Sequence, residues 1–304
     1  MLKFLYWRPF GVELELNSFD GNSILQKEVP EGLPYIANLV SKTLNTYVEV
    51  RGFGHTHWYK GHGYWVLKPD NSCGMEAASP IMQGWYGLKE ICRVTEAFGN
   101  DPKIEADNRC SLHVHLDVSD LTNDQIGNIL NWWIKCEPVF LDSVPMSRKD
   151  NRYCEFIGMW DWIDGEYCFP ASEIIRILGE TKYHTANSFH LFSGERSSLE
   201  FRIGEGGLCK DALSTKNWIR LLIHFVEVVK DIVPESLYWL DADDVIKLLG
   251  FEGALSLGMQ QVRNWFFTRL TDNTSKGRPI SNSFVVNDFK DSYRNRLYHK
   301  KYAS

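Results

Sequence analysis

Three short stretches put ionisable residues on alternate positions of strand-like runs: "GVELEL" with Glu13 and Glu15, "LHVHLD" with His113 and His115, and "SLEFRIG" with Glu200 and Arg202. In a strand, residues i and i+2 point to the same face and their neighbours to the other. Val12, Leu14 and Leu16 would therefore face a core while Glu13 and Glu15 look away from it, and the same holds for Leu112, Val114 and Leu116 against the two histidines. A sheet built this way has one apolar face and one charged face. Three such pairs are better explained by one shared site than by three independent solvated strands. Glu76, in "GMEAASPI", adds a fourth carboxylate on a further strand.

Other segments carry helical spacing. "YIANLVSKTLN" (35–45) repeats Ile36, Leu39, Val40 and Leu44, and "GWYGLKEICRVTEAFGN" (84–100) is amphipathic and ends near Gly99. "TNDQIGNILNWWIKCEP" opens with Thr122 and Gln125 in capping-box register, and its Trp132–Trp133 pair reads as helix core. "SEIIRILG" (172–179) reads as a short helix. "YWVLKPDNS" and "GMEAASPI" read as strand, turn, strand. "ANSFHLFS" and "SSLEFRIG" read as two strands joined at Gly194–Glu195. Beyond Gly207 three helical segments follow, and then a polar tail after about residue 272. The strands lack regular short βα units, so the expected class is α+β with a largely antiparallel sheet. The expected division is a catalytic α+β region at 1–207 and a helical region at 208–304 packed on it.

Composition narrows the function. The 304 residues are 44% hydrophobic and 24% charged, as in an ordinary globular protein. A net charge of −6 gives no footprint for nucleic acid. No apolar run approaches the ~18 residues of a membrane span, and Lys3, Arg8 and Glu13 interrupt the start of the chain, unlike a signal peptide. Seven cysteines without a CxxC pair point to reduced thiols and a cytoplasmic setting. His55, His57 and His62 sit in a glycine-rich stretch and read as surface residues of a substrate loop; His184 and His190 read as structural.

Several carboxylates with one or two histidines and no cysteine suit Mg²⁺ or Mn²⁺ better than zinc. Divalent ions beside arginine point to polyphosphate chemistry. Yet the chain has neither a GxxxxGK[ST] loop nor a GxGxxG turn, so a nucleotide would need another architecture.

"GVELEL", "WVLKPDNSCGMEAASPI", "CSLHVHLDV", "SRKDNRYC", "KYHTANS" and "SSLEFR" occur in the order found in amidoligases, carboxylate–amine ligases related to glutamine synthetase and glutamate–cysteine ligase. The chain resembles that family over about residues 11–220. The resemblance implies a curved antiparallel sheet of glutamine-synthetase-like type and an ATP- and Mg²⁺- (or Mn²⁺-) dependent ligase joining small-molecule or peptide carboxylates and amines. By the same resemblance Glu13, His113 and Glu200 would hold one metal, and Glu15 and Glu76 a second. Arg202 would meet the transferred phosphate, with His115 and Arg196 also at the nucleotide. Arg148 and Arg152 would bind an anionic group, and Lys182, Tyr183 and Asn187 would line the substrate site. Lys182 stands where the family pattern has arginine, which keeps the charge and loses the planar fork. Asp70 could serve the second metal, but an Asp ahead of Asn71–Ser72 reads better as a turn cap. Two alternatives stand beside the ligase: a metal-dependent amide hydrolase using the histidine strand, and a non-catalytic binding protein on the same fold. The sequence sets no oligomeric state.

Overall fold

The computed structural model describes residues 8–19, 22–23, 32–52, 63–70, 72–149, 151–157 and 167–274. The segment carrying His55, His57 and His62 and the polar tail lie outside these residues.

The main sheet has seven strands in the order β4 (Val48–Val50), β5 (Trp65–Asp70), β6 (Gly74–Ala78), β1 (Phe10–Leu16), β8 (Ser111–Asp117), β10 (Ser198–Glu205) and β9 (Ala186–Asn187). Every neighbouring pair is antiparallel except β4 with β5. The expected mostly antiparallel sheet is thus present, with one parallel edge. A smaller sheet orders β3 (Asn22–Ser23), β2 (Ser18–Phe19) and β7 (Ile104–Glu105).

The alternation in the sequence becomes the two faces of the sheet. Glu13 pairs with His113, Glu15 with Glu76, and Glu200 with His115. On the other face Val12, Leu14, Leu112, Val114, Leu199 and Phe201 are buried. That face is covered by α1 (Gly32–Leu44), α2 (Gly84–Asn100), α3 (Asn123–Asp142) and α7 (Ala212–Val229), whose buried residues join one continuous core with those of α8 (Ala242–Leu248) and α9 (Leu257–Thr274). Trp133 is its aromatic hub. Its ring centroid lies 4.7 Å from Phe140, 4.9 Å from Phe201 and 5.6 Å from Phe225. Helix α3 starts where the capping box places it: Thr122 Oγ1 accepts the Gln125 N–H, and Gln125 accepts the Thr122 N–H.

Arg8 ties β1 to its neighbours. Its guanidinium reaches Asp120 and Glu227, each at 2.7 Å, and donates to the Asp117 carbonyl. Gly74 opens β6 at φ 142°, and a Cβ there would sit 2.9 Å from the Leu16 carbonyl oxygen, so the β5–β6 turn requires glycine. Three short helices, α4 (Met146–Lys149), α5 (Ala171–Ile177) and α6 (Phe189–Phe192), lie between α3 and β10.

One strand expectation fails. "ANSFHLFS" is not a strand throughout: β9 holds only Ala186 and Asn187, and α6 follows. The cause is local. Asn187 Oδ1 accepts the Phe189 N–H at 3.1 Å, an Asx-type bond that competes with the ladder and bends the chain. The turn at Gly194, with φ 73°, then leads into β10.

Among the described residues, no helix is long and apolar enough to cross a membrane.

Candidate active site

The polar face of β5, β6, β1, β8 and β10 gathers most of the candidate residues into one patch. His113 is its centre. Its Nδ1 lies 3.0 Å from Glu13 Oε2 and 3.6 Å from Glu200 Oε1, and its Nε2 lies 3.6 Å from Glu15 Oε1. Ser111 Oγ donates to Glu15 Oε2 at 2.5 Å and lies 2.6 Å from His113 Nε2. Ser111 is a site residue that the sequence reading did not single out, although it shares the face of His113 at i−2. Lys68 is another: its Nζ lies 3.1 Å from Glu76 Oε1, and register pairs the two residues across β5 and β6.

Glu13, His113 and Glu200 each offer a ligand atom, and these atoms lie within 4.8 Å of one another. That is the set expected for the first metal. Glu15 joins a different group, with Asp70 and Cys73. Asp70 also caps the β5–β6 turn as expected: its Oδ1 accepts the Ser72 N–H at 2.6 Å and the Cys73 N–H at 3.3 Å.

Charge is distributed unevenly over the face. Burial alone would raise the Glu13 carboxyl, but the charge of His115 and hydrogen bonds from both imidazoles hold it well below the carboxylate range. Glu200 is pulled to about 2, because Arg202 and His115 outweigh its burial. Glu76 goes the other way. Burial and the Glu13 charge lift it to about 8, against a smaller opposing pull from Lys68. The Glu76 carboxyl therefore keeps its proton at neutral pH in the metal-free fold.

Arg202 Nη1 donates to Glu200 Oε1 at 2.5 Å, and its Nε donates to the Tyr153 carbonyl at 3.2 Å. Its backbone N–H donates to the Thr185 carbonyl at 2.8 Å. A bulge after Phe201 shifts the β10 register against β8, from Phe201 opposite Val114 to Gly204 opposite Leu112. Gly204 fits the close approach that follows, since a Cβ there would lie 2.5 Å from the Leu112 carbonyl oxygen.

The remaining candidates lie further out or point elsewhere. Arg148 is buried and donates through Nη2 to the Arg202 carbonyl at 2.7 Å, so it braces β10. Arg152 is exposed; it donates to Tyr153 Oη at 2.6 Å and lies over that ring. Lys182 Nζ lies over the Tyr183 ring, which itself packs against Tyr153. Asn187 is buried; its Nδ2 donates to Glu200 Oε2 and to the Lys182 carbonyl, each at 3.0 Å. It holds the carboxylate of Glu200 from the β9 side. Arg196 Nη2 lies 3.0 Å from His190 Nε2 at the rim beside His115.

The donor set suits a hard divalent ion on the β1–β8–β10 side. It consists of two low-pKa carboxylates and one imidazole, with ligand atoms already converged.

Comparison with known proteins adds the following. A search of curated proteins finds no match. Among solved structures, the chain is similar to a bifunctional glutathione synthetase from Pasteurella multocida, with 10% identity and a TM-score of 0.42, over 90% of this chain and 48% of that one. The chain spans about half the length of that protein. A family profile matches residues 41–226, which starts after β1, although β1 lies hydrogen-bonded between the matched strands β6 and β8. This match covers Glu76, His113, His115, Glu200 and Arg202 together with α2, α3 and most of α7. The chain belongs to the family described as "Putative amidoligase enzyme".

Proposed function

We propose that this amidoligase is an ATP-dependent carboxylate–amine ligase of glutamine-synthetase-like type, acting through an acyl phosphate on a small-molecule or peptide carboxylate. The observation that carries this reading is the convergence of Glu13, His113 and Glu200 on one point, with Arg202 bonded to Glu200 at 2.5 Å. A converged carboxylate–imidazole set beside a fixed guanidinium suits a polyphosphate whose terminal group must be held and charge-neutralised. A divalent ion at Glu13, His113 and Glu200, with a second at Glu15 and Glu76, would supply charge neutralisation at the phosphate oxygens.

The side chains themselves do the rest. Arg202 is held from three directions, by Glu200, by the Tyr153 carbonyl and through its backbone by Thr185. It therefore presents its guanidinium without reorganising when charge builds on the transferred phosphoryl group. The substrate carboxylate attacks that phosphorus, the bond to ADP breaks, and the product is an acyl phosphate whose phosphate is a good leaving group. A neutral amine then attacks the acyl carbon, phosphate leaves, and the amine's proton passes to a nearby carboxylate. His115 and Arg196 border the nucleotide, while Arg152, Lys182 and Tyr183 form the exposed rim where a substrate would enter.

The test is amine-dependent phosphate release from ATP with Mg²⁺, screened over amino acids and peptides. Wild type is expected to turn over and Glu15→Ala to lose activity; equal turnover by the variant refutes the metal assignment. A second reading, a metal-dependent amide hydrolase, is favoured by the grouping of His115, His190 and Glu200. It requires amide cleavage without ATP.

A further inference from the structure

Glu137, in α3, is a fully buried carboxylate that takes no part in the chemistry proposed above. A carboxylate in that position is costly unless its oxygens are bonded. One of its oxygens collects donors from two separate segments of the chain. Glu137 Oε1 accepts the Ile157 N–H at 3.0 Å and also accepts the Thr185 hydroxyl. Thr185 Oγ1 in turn accepts the Trp133 indole N–H at 3.0 Å.

Those segments carry the contacts that hold Arg202 and Glu200. The first, residues 151–157, supplies the Tyr153 carbonyl to Arg202 Nε at 3.2 Å. The second, residues 183–187, supplies the Thr185 carbonyl to the Arg202 N–H at 2.8 Å, and the Asn187 side-chain amide to Glu200 Oε2 at 3.0 Å. The segments are also bonded to each other. The Glu155 N–H donates to the Tyr183 carbonyl at 2.6 Å, and the Thr185 N–H to the Glu155 carbonyl at 3.1 Å. Arg202 lies in the stretch where β10 shifts register against β8, between Phe201 and Gly204. Its place therefore depends on these segments and on Arg148, which donates to its carbonyl at 2.7 Å. Charge agrees with the geometry. Burial pushes the Cys154 thiol up, Arg148 and Arg202 oppose the rise, and Glu137 adds to it. One thiol feels all three charges, which puts the Glu137 carboxylate in the same buried cluster as the two guanidinium groups.

We propose that Glu137 is a positioning residue for Arg202: through Ile157 and Thr185 it sets the two segments that aim the guanidinium and brace Glu200. Its effect on rate rests on the ligase reading. Because Glu137 acts through Arg202, its loss should appear in phosphoryl transfer and not in nucleotide binding.

The experiment compares wild type, Thr185→Val, Thr185→Ser and Glu137→Gln in the full chain. Valine keeps the shape of Thr185 and its carbonyl but lacks the hydroxyl that reaches Glu137; serine restores the hydroxyl. In the ATP assay with Mg²⁺, Thr185→Val and Glu137→Gln should lower kcat about ten- to a hundredfold with the KM for ATP unchanged. Thr185→Ser should recover most of the rate. Added to Arg202→Lys, Thr185→Val should cost little more. The second readout needs no turnover: hydrogen exchange at the Arg202 Nε–H, followed by ¹⁵N NMR and assigned by its loss in Arg202→Lys. Thr185→Val should speed that exchange at least about tenfold and leave the Leu222 amide, in the core of α7, unchanged. Unchanged exchange at Arg202 overturns the proposal. Equal speeding at Leu222 overturns it too, because the variant then only loosens the fold. A raised KM at constant kcat, or no recovery with serine, also overturns it. If Glu137→Gln does not fold, Thr185→Val carries the test. A wild type that never turns over ATP refutes the ligase reading, and the exchange readout then decides by itself whether Glu137 fixes Arg202.

Discussion

Replacing Glu76 with glutamine should make the metal-free protein more stable. Glutamine keeps the shape of the side chain and cannot ionise. In the fold the Glu76 carboxyl titrates at about 8, against 4.5 when unperturbed. Between those values the folded chain keeps a proton that the unfolded chain has lost, so stability falls as pH rises through the window. At pH 7 the accumulated loss is about 2.5 pH units, or about 3 kcal/mol at 1.36 kcal/mol per unit. Glu76→Gln removes that loss. At about 2.1 cal/mol/K of unfolding entropy per residue, a chain of this size shifts about 1.5 °C per kcal/mol, so the variant should melt about 5 °C higher. The assay is paired thermal unfolding in chelator at pH 4 and pH 7. The two proteins should melt together at pH 4, where both side chains are neutral. The other carboxylates of the face cancel in the difference between the curves. A variant less stable than wild type at pH 7, or an advantage equal at both pH values, refutes the reasoning. Under the proposed function, saturating Mg²⁺ should then narrow or reverse the gap, because a ligated carboxylate gains from the metal and an amide gains far less.

Three further outcomes are expected. Arg202→Lys should lower phosphoryl transfer about a hundredfold or more, because an ammonium cannot reach Glu200 and the Tyr153 carbonyl at once; single-turnover kinetics beside nucleotide binding would show the loss in rate rather than in affinity. Trp133→Ala should cost about 3–5 kcal/mol by denaturant unfolding, since it empties the aromatic hub and removes the indole N–H that donates to Thr185 Oγ1. His184→Asn should flatten the acid side of the stability curve. Burial lowers His184 to about 4 from 6.5, so the unfolded chain takes up a proton first as pH falls and stability drops between those values, by about 3 kcal/mol in all. Matching slopes for variant and wild type would count against this.

Much of the site could be read from the chain because strands repeat every two residues. Glu13, His113 and Glu200 each announce their face through apolar neighbours, and the sheet only has to set β1, β8 and β10 side by side. The capping box at Thr122 and the turn role of Asp70 were legible for the same reason: both signals are local. What failed depends on contacts between distant segments or on a side chain overriding a pattern. The run 186–193 has strand composition, but Asn187 bonds the Phe189 N–H and turns it into a helix. His190 gave no local sign of its partner, since it meets His115 only after that turn. The bond from Arg148, in α4, to the Arg202 carbonyl likewise has no local sign in the sequence. The parallel pairing of β4 with β5 left no trace in either strand's composition.

The position of β1 between β6 and β8 has a consequence for how the chain is made. Glu13 and Glu15 are synthesised before any residue that will neutralise or screen them. Glu76, His113 and Glu200 leave the ribosome in that order, and at about 5–20 residues per second Glu200 follows Glu13 by roughly ten to forty seconds. Until β8 forms, β1 has an unpaired edge; until β10 arrives, His113 and Glu13 lack Glu200 and Arg202. The nascent chain thus holds an exposed apolar strand, alternately acidic, until β6 and β8 have been made. Its two carboxylates keep that strand from pairing with another copy of itself, because like charges would lie against each other in a self-paired sheet. The residues that make the finished face reactive would, during synthesis, keep the growing chain apart from its neighbours.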